Sequence, residues 1–279
     1  MSSFASHGDT RASSAGPFTS ASRVRSLGDG TFAATLSGAW TIGGKPHGGF
    51  LVSLLARAAV VAGGGSPVAD PLTVSAQFLR APELGPVLLR TDVRKNGRQT
   101  TIVGVNIEQR GQTCVEGIVT TGRLPRERAA WSDLPNQPAE PPGNALDIAA
   151  LPMASVFRLT EGCDVRIDPN GAGFLHGQTN DPPRLRLWAK PRNEQVDPFF
   201  ALLVGDIAPP VTFNLGRFGW SPTVQLTALL RSRPAPGWLR VQVDCKAVHG
   251  PWFDADATVV DAAGRLVCQA RQLALSAKP

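Results

Sequence analysis

The sequence predicts an α+β protein built from two tandem copies of one domain. Three observations predict it. First, Pro82, Gly85, Asp92 and Arg94 recur as Pro234, Gly237, Asp244 and Lys246, each 152 positions on, and Pro46 recurs as Pro198 at the same offset. That period is far too long for a solenoid repeat, which runs to a few tens of residues. Second, each copy reads as an apolar helical run followed by alternating strand-like segments. Third, Pro125, Pro135, Pro138, Pro141 and Pro142 crowd the stretch between the copies. Proline that dense does not lie inside a sheet and reads as a linker.

The order of elements follows from these signals. Residues 1–22 are polar and Ser-rich and read as a mobile tail. The first domain spans 23–124. Thr31 to Ile42 carries one or two strands, and Pro46-His47-Gly48-Gly49 opens a helix. Phe50, Leu51, Leu54, Leu55, Ala58 and Ala59 recur at helical spacing over about four turns, until Gly63-Gly64-Gly65 stops them. Strands are expected at Val74 to Leu79, at Val87 to Arg94, at Thr100 to Glu108 and at Cys114 to Arg123. Asn96-Gly97 and Arg110-Gly111 mark the turns. The linker occupies 125–150 and the second domain 151–279. There the strands are Val156 to Leu159, Arg184 to Trp188, Val224 to Leu230, Leu239 to Cys245, Ala255 to Val260 and Leu266 to Leu275. Asp197 caps a second helix with Pro198 at its first position. Gly264 matches Gly111 at an offset of 153, one residue having been inserted in the last hairpin.

Composition bounds the function. The chain has 279 residues, 42% hydrophobic and 18% charged, so it is globular rather than disordered. Its formal charge of +6 suits nucleic acid, acidic lipid or phosphorylated ligands. Arg and Lys are scattered singly, however, with no basic run, zinc-finger spacing or RNA-binding string. The phosphates of a coenzyme or carrier protein are the better match, and nucleic acid is not expected. Tyr is absent, so no tyrosine hydroxyl is available for chemistry. Cys114, Cys163, Cys245 and Cys268 form no CxxC and have no His at ligand spacing, which predicts reduced thiols and no metal. The first 20 residues lack the apolar core of a signal peptide. The longest apolar stretch, Gly48 to Gly65, is cut by Arg57 and is too short to span a bilayer. A cytoplasmic protein is expected.

The copies differ in polarity. Asp206 falls opposite Leu54, which lies on the buried stripe of the first helix, so Asp206 is expected to point inward. A carboxylate on such a stripe is costly unless it is paired. It caps the helix end before Pro209-Pro210, lies in an exposed last turn, or orients water in a pocket. Gln272 shares a strand face with Leu266, Cys268 and Ala270, and its counterpart is Val119. It is either satisfied by backbone at a sheet edge or is a second pocket group. Thr223 heads the strand Val224 to Leu230, where Ser221 and Thr227 are rivals for any hydroxyl role and a plain strand Thr is the alternative. A carboxylate, a hydroxyl and an amide have the composition needed to hold one water. His47, at the entrance of the first helix, is a base or a capping residue.

At these residues the second half resembles the acyl-CoA thioesterase II (TesB-like) family of double-hotdog hydrolases. The matching strings are Val204-Gly205-Asp206, Thr223-Val224-Gln225-Leu226-Thr227 with Arg233-Pro234, and Leu266-Val267 with Gln272. The resemblance implies two tandem hotdog domains, each a long helix wrapped by an antiparallel sheet. It implies that Asp206, Thr223 and Gln272 orient the attacking water. His47-Gly48-Gly49 resembles the family's glycine-rich helix entrance near the substrate. The substrate so implied is an acyl-CoA or acyl-carrier-protein thioester, with no metal or redox cofactor, and a homo-oligomer (a dimer of double hotdogs) is compatible with it. Gln225-Leu226 departs from the family, where many relatives carry an acidic residue and His. A single site per chain is expected, because the first copy carries Leu54 and Val119. Two rival readings stay open. One is a non-catalytic acyl-thioester or lipid binder. The other is a hydratase or dehydratase, which needs His47 to face inward beside a carboxylate.

Overall fold

The computed structural model describes residues 15–64 and 69–277. Ten principal strands run through the chain. In the first half, β1 is Thr31–Leu36, β2 Asp70–Phe78, β3 Gly85–Asn96, β4 Thr100–Gln109 and β5 Gln112–Gly122. In the second, β6 is Arg184–Pro191, β7 Thr223–Leu230, β8 Leu239–Asp244, β9 Trp252–Val260 and β10 Leu266–Leu275. They form one continuous antiparallel sheet in the order β1-β3-β4-β5-β2-β7-β10-β9-β8-β6. The order of the second half is the first reversed, so the halves join through their equivalent strands β2 and β7. Helix α2, Gly48–Ala62, packs on the first half, α3, Pro198–Val204, on the second, and the helices pack on each other. This is the double-hotdog plan expected from the sequence.

The seam confirms the repeat. Across β2 and β7 the register pairs Gln225 with Gln77, Thr227 with Ser75 and Leu229 with Thr73. Ser75 and Thr227 are 152 residues apart, so each faces its own counterpart and a pseudo-twofold axis passes between them. The one-residue insertion also holds. Val74 pairs with Val119 and Leu226 with Gln272, which makes Val119 and Gln272 equivalent. Gly111 and Gly264 both adopt the left-handed conformation that the hairpin turns require, with φ of 72° and 81°.

Several expectations need correction. Residues 15–22 are not a mobile tail; the remainder of that assignment, 1–14, lies outside the described residues. Pro17–Ala21 forms a short helix, α1, whose first N–H groups are capped by Glu194. It buries Phe18 to 1% exposure against Trp40, Phe50 and Phe200. Val156 to Leu159 is not a strand. The chain there makes two 3-10 turns, Pro152–Ser155 and Arg158–Glu161, because it folds over Trp40, which leaves no room for a side chain at Gly162. The edge strand comes next, at Cys163–Ile167, with Cys163, Val165 and Ile167 buried in alternation. Leu146–Asp147, inside the expected linker, already pairs with it. The second helix is short, seven residues, rather than long: Gly205 ends it ahead of Pro209-Pro210. Helix α2 is buried nearly all round rather than along one stripe, since α1 and α3 cover the side away from the sheet.

Candidate active site

Asp206 lies just past the end of α3, not within it. Gly205 allows the turn to press on the sheet: a Cβ there would sit 3.1 Å from Ala270 Cβ and 3.4 Å from Cys268 Sγ. The chain then delivers Asp206 to the N-terminus of α2. Its Oδ2 accepts the Gly49 N–H at 2.8 Å, and its side chain is 7% exposed. The positive end of a four-turn helix and an unpaired amide favour the carboxylate there. Burial still pushes the Asp206 carboxyl above the usual carboxylate range; the His47 ring and the Gly49 N–H pull it down without cancelling that effect. Oδ1 carries no hydrogen bond from any of the described residues.

The two glycines are dictated by this approach. A Cβ on Gly49 would come within 2.6 Å of the Leu203 carbonyl oxygen, and one on Gly48 within 2.7 Å of Asp206 Oδ2. The Gly48 N–H has no partner among the described residues, whereas Gly49, Phe50 and Leu51 donate to Asp206, to the His47 ring and to the His47 carbonyl. His47 is 6% exposed. Its Nδ1 accepts the Phe50 N–H at 3.3 Å, which leaves the ring proton on Nε2, and Nε2 lies 2.9 Å from the Asp206 carbonyl oxygen. Nε2 stands 3.7 Å from Asp206 Oδ2. Phe78, at the end of β2, closes over Gly48.

Thr223 and Gln272 form a pair: the Thr223 hydroxyl donates to Gln272 Oε1 at 2.7 Å. A bulge makes this possible. Between β7 and β10 the register shifts at Val224, so Thr223 pairs with Ala274 and Gln225 with Leu273. The extra residue turns Thr223 onto the face that carries Leu226, toward Gln272. Gln272 stands on the same face as Ala270, against which Gly205 is packed, so it is one step along the strand from the turn that carries Asp206. No direct hydrogen bond joins Asp206 to the Thr223–Gln272 pair. Gln225 turns to the other face and donates to Thr227, while Leu226, opposite Gln272, is buried. Cys268 beneath the turn is no nucleophile, since burial pushes its thiol up to about 12.

Sequence reasoning missed one part of this site. The bulge recurs in the first half, between Pro71 and Thr73, at the same place in the repeat. Pro71 is therefore the counterpart of Thr223. Thr223 and Gln272 in the second copy are register-equivalent to Pro71 and Val119 in the first, and Asp206 corresponds to Leu54 by the 152-residue offset. The offset of 152 already pairs Pro71 with Thr223; without the bulge, nothing marked it as a position facing the interior.

Comparison with known proteins gives the family and the fold. Residues 36–122 match the family model of the acyl-CoA thioesterase N-terminal domain, and residues 130–276 that of the C-terminal domain. An uncharacterized protein of Mycobacterium tuberculosis strain H37Rv is 41% identical over 264 residues, covering 88% of this chain and 90% of its own. A structure from Thermobifida fusca, described as a candidate thioesterase II, is 30% identical with a TM-score of 0.83, covering 94% of this chain and 98% of that one. A hot dog fold protein of unknown function from Alicyclobacillus acidocaldarius shares the fold at 17% identity, with a TM-score of 0.81 and the same coverage. The two family models between them span most of the sequence, and this chain belongs to the acyl-CoA thioesterase family as a double-hotdog thioester hydrolase.

Proposed function

We propose that the protein hydrolyses an acyl-CoA or acyl-carrier-protein thioester at one site, in its second half, by a water held between Asp206, Thr223 and Gln272. The observation that carries this reading is the polarity contrast at three equivalent positions. Each hydrophilic group in the second copy corresponds to an apolar residue in the first, so a fold requirement does not explain it.

The roles follow from the available atoms. Oδ2 of Asp206 is anchored by Gly49, and Oδ1 is left to take a proton from water. Thr223 already donates to Gln272 Oε1. The Thr223 lone pairs and the Gln272 amide hydrogens are then left to orient the same water. Its oxygen attacks the thioester carbonyl. The Gly48 N–H, at the positive end of α2 and without a partner among the described residues, stabilises the charge that develops on the carbonyl oxygen. The C–S bond breaks, and the thiolate takes the proton from Asp206, giving free acid and thiol. Arg80, exposed two residues past Phe78, supplies a cation for the carrier's phosphates. No helix among the described residues is long and apolar enough to cross a membrane.

A second reading has one observation in its favour. His47 faces inward with Nε2 near the Asp206 carboxylate, which is the arrangement a hydratase or dehydratase needs. Against it, both ring nitrogens are already engaged by protein groups. Thiol release from acyl-CoAs ranging from acetyl to palmitoyl, run beside enoyl-CoA hydration, separates the two. Thiol release that is lost in Asp206→Asn supports the hydrolase. Hydration without thiol release contradicts it.

A further inference from the structure

We propose that His47 is a positioning residue, which holds Asp206 in place through its backbone and does not touch the substrate. This rests on the reading of Asp206 as the base. Asp206 needs an external hold. It lies beyond the last turn of a seven-residue helix, and its own N–H returns to Leu203 at 3.1 Å. Its carbonyl oxygen is taken by His47 Nε2 at 2.9 Å, and its carboxylate by the Gly49 N–H at 2.8 Å. Residues two apart on the entrance of α2 thus grip the backbone and the side chain of the same residue. Asp206 is thereby tied to the first half of the molecule, although its partners Thr223 and Gln272 belong to the second.

The ring does two jobs with its two nitrogens. Nδ1 caps α2 by accepting the Phe50 N–H. That bond fixes the tautomer, so that Nε2 is the donor to Asp206. At 3.7 Å, Nε2 is too far from Oδ2 for a hydrogen bond, which leaves the carboxylate free to exchange protons with water. With 6% exposure and no nitrogen to spare, His47 offers the substrate nothing.

The two jobs can be separated by substitution. His47→Asn places an acceptor near the Nδ1 position and keeps the cap, but removes the donor. His47→Gln places a donor near the Nε2 position, but loses the cap. The readouts are the melting midpoint and steady-state thiol release from one acyl-CoA, with Asp206→Asn in parallel. His47→Asn is expected to melt like the wild type while kcat falls about 10- to 100-fold, the scale of a misplaced catalytic group, with KM nearly constant. His47→Gln is expected to melt lower and keep most of the wild-type kcat. A wild-type kcat in His47→Asn overturns the proposal. So does a raised KM at constant kcat in either variant, which indicates substrate contact, or an equal loss of kcat in both, which indicates proton transfer by the ring. If Asp206→Asn turns over normally, the hydrolytic reading itself fails. If Asp206→Asn loses thiol release and His47→Asn turns over at the wild-type rate, the positioning role alone fails.

Discussion

The Ser75 and Thr227 hydroxyls lie 2.9 Å apart, and each is the other's counterpart in the repeat. The pseudo-twofold axis passes between them, so every contact on one side of the seam has a potential twin on the other. Asp70 and Arg233 break that symmetry. Asp70, 3% exposed, bridges Arg233 and the Leu124 N–H across the seam, while the twin positions are Pro222 and Ala81. One end of the seam is latched by charge, and the other, where Thr223 lies, is not.

The latch is expected to contribute stability and not chemistry. Arg233 is about half exposed, so its pair with Asp70 is partly screened. Arg233→Ala is predicted to destabilise the fold by about 1 kcal/mol. Asp70→Ala, which also strands the Leu124 N–H, is predicted to cost about 2 kcal/mol or more. Urea unfolding checks both, and kcat is expected to stay at the wild-type value. A large loss of kcat in Arg233→Ala would show that the latch shapes the site.

The glycines at the entrance of α2 are expected to fail in different ways. In Gly49→Ala the new methyl meets backbone, the Leu203 carbonyl, so α3 must shift. Overpacking of that kind costs about 1–3 kcal/mol. In Gly48→Ala the methyl meets the Asp206 carboxylate, a movable group, so the fold is retained while kcat drops. Comparing thermal melts with thiol release separates the two, and equal behaviour of the variants would contradict the close approach.

Thr223 and Gln272 act as one unit in this account. Thr223→Ser keeps the hydroxyl and is predicted to keep most activity, whereas Thr223→Val and Gln272→Leu each lose it. The double variant is predicted to be little worse than either single one, because groups that serve one water are not additive. Full additivity in a double-mutant cycle would mean that they do not share a water.

The pH response has a definite sign. Because burial holds the Asp206 carboxyl above its ordinary range, activity is expected to rise with pH over a window lying above that range. Stability moves the other way. An acid whose folded-state value is raised contributes stability below its unfolded-state value and loses it as pH rises through the folded one. Asp206→Asn therefore removes the acid limb together with most of the activity, and is predicted to be at least as stable as the wild type at neutral pH. An acid limb of kcat/KM at the ordinary carboxylate position would contradict a buried base.

The fold was legible in the sequence where periodicity is strong. The run Phe50 to Ala59 and the alternation Leu239 to Cys245 are local patterns that burial enforces, and the spacing from Gly85 to Gly237 reports duplication directly. The failures have a common cause, since they depend on distant partners. Phe18 is one aromatic in a Ser-rich stretch, and nothing nearby in sequence shows that Trp40, Phe50 and Phe200 await it. The end of α3 is set by Gly205 meeting Ala270, which is likewise non-local. Asp206 and Gln272 stood out because their counterparts are apolar, and Thr223 because it heads a strand. That Thr223 faces inward rests on a bulge at Val224, which leaves no mark in residue type.

The most direct measurement combines turnover and binding in one variant. Asp206→Asn keeps an acceptor for the Gly49 N–H and so preserves the local fold. The account predicts that it binds an acyl-CoA with a wild-type Kd in calorimetry while thiol release falls about 100-fold or more. Unchanged thiol release from Asp206→Asn would contradict it.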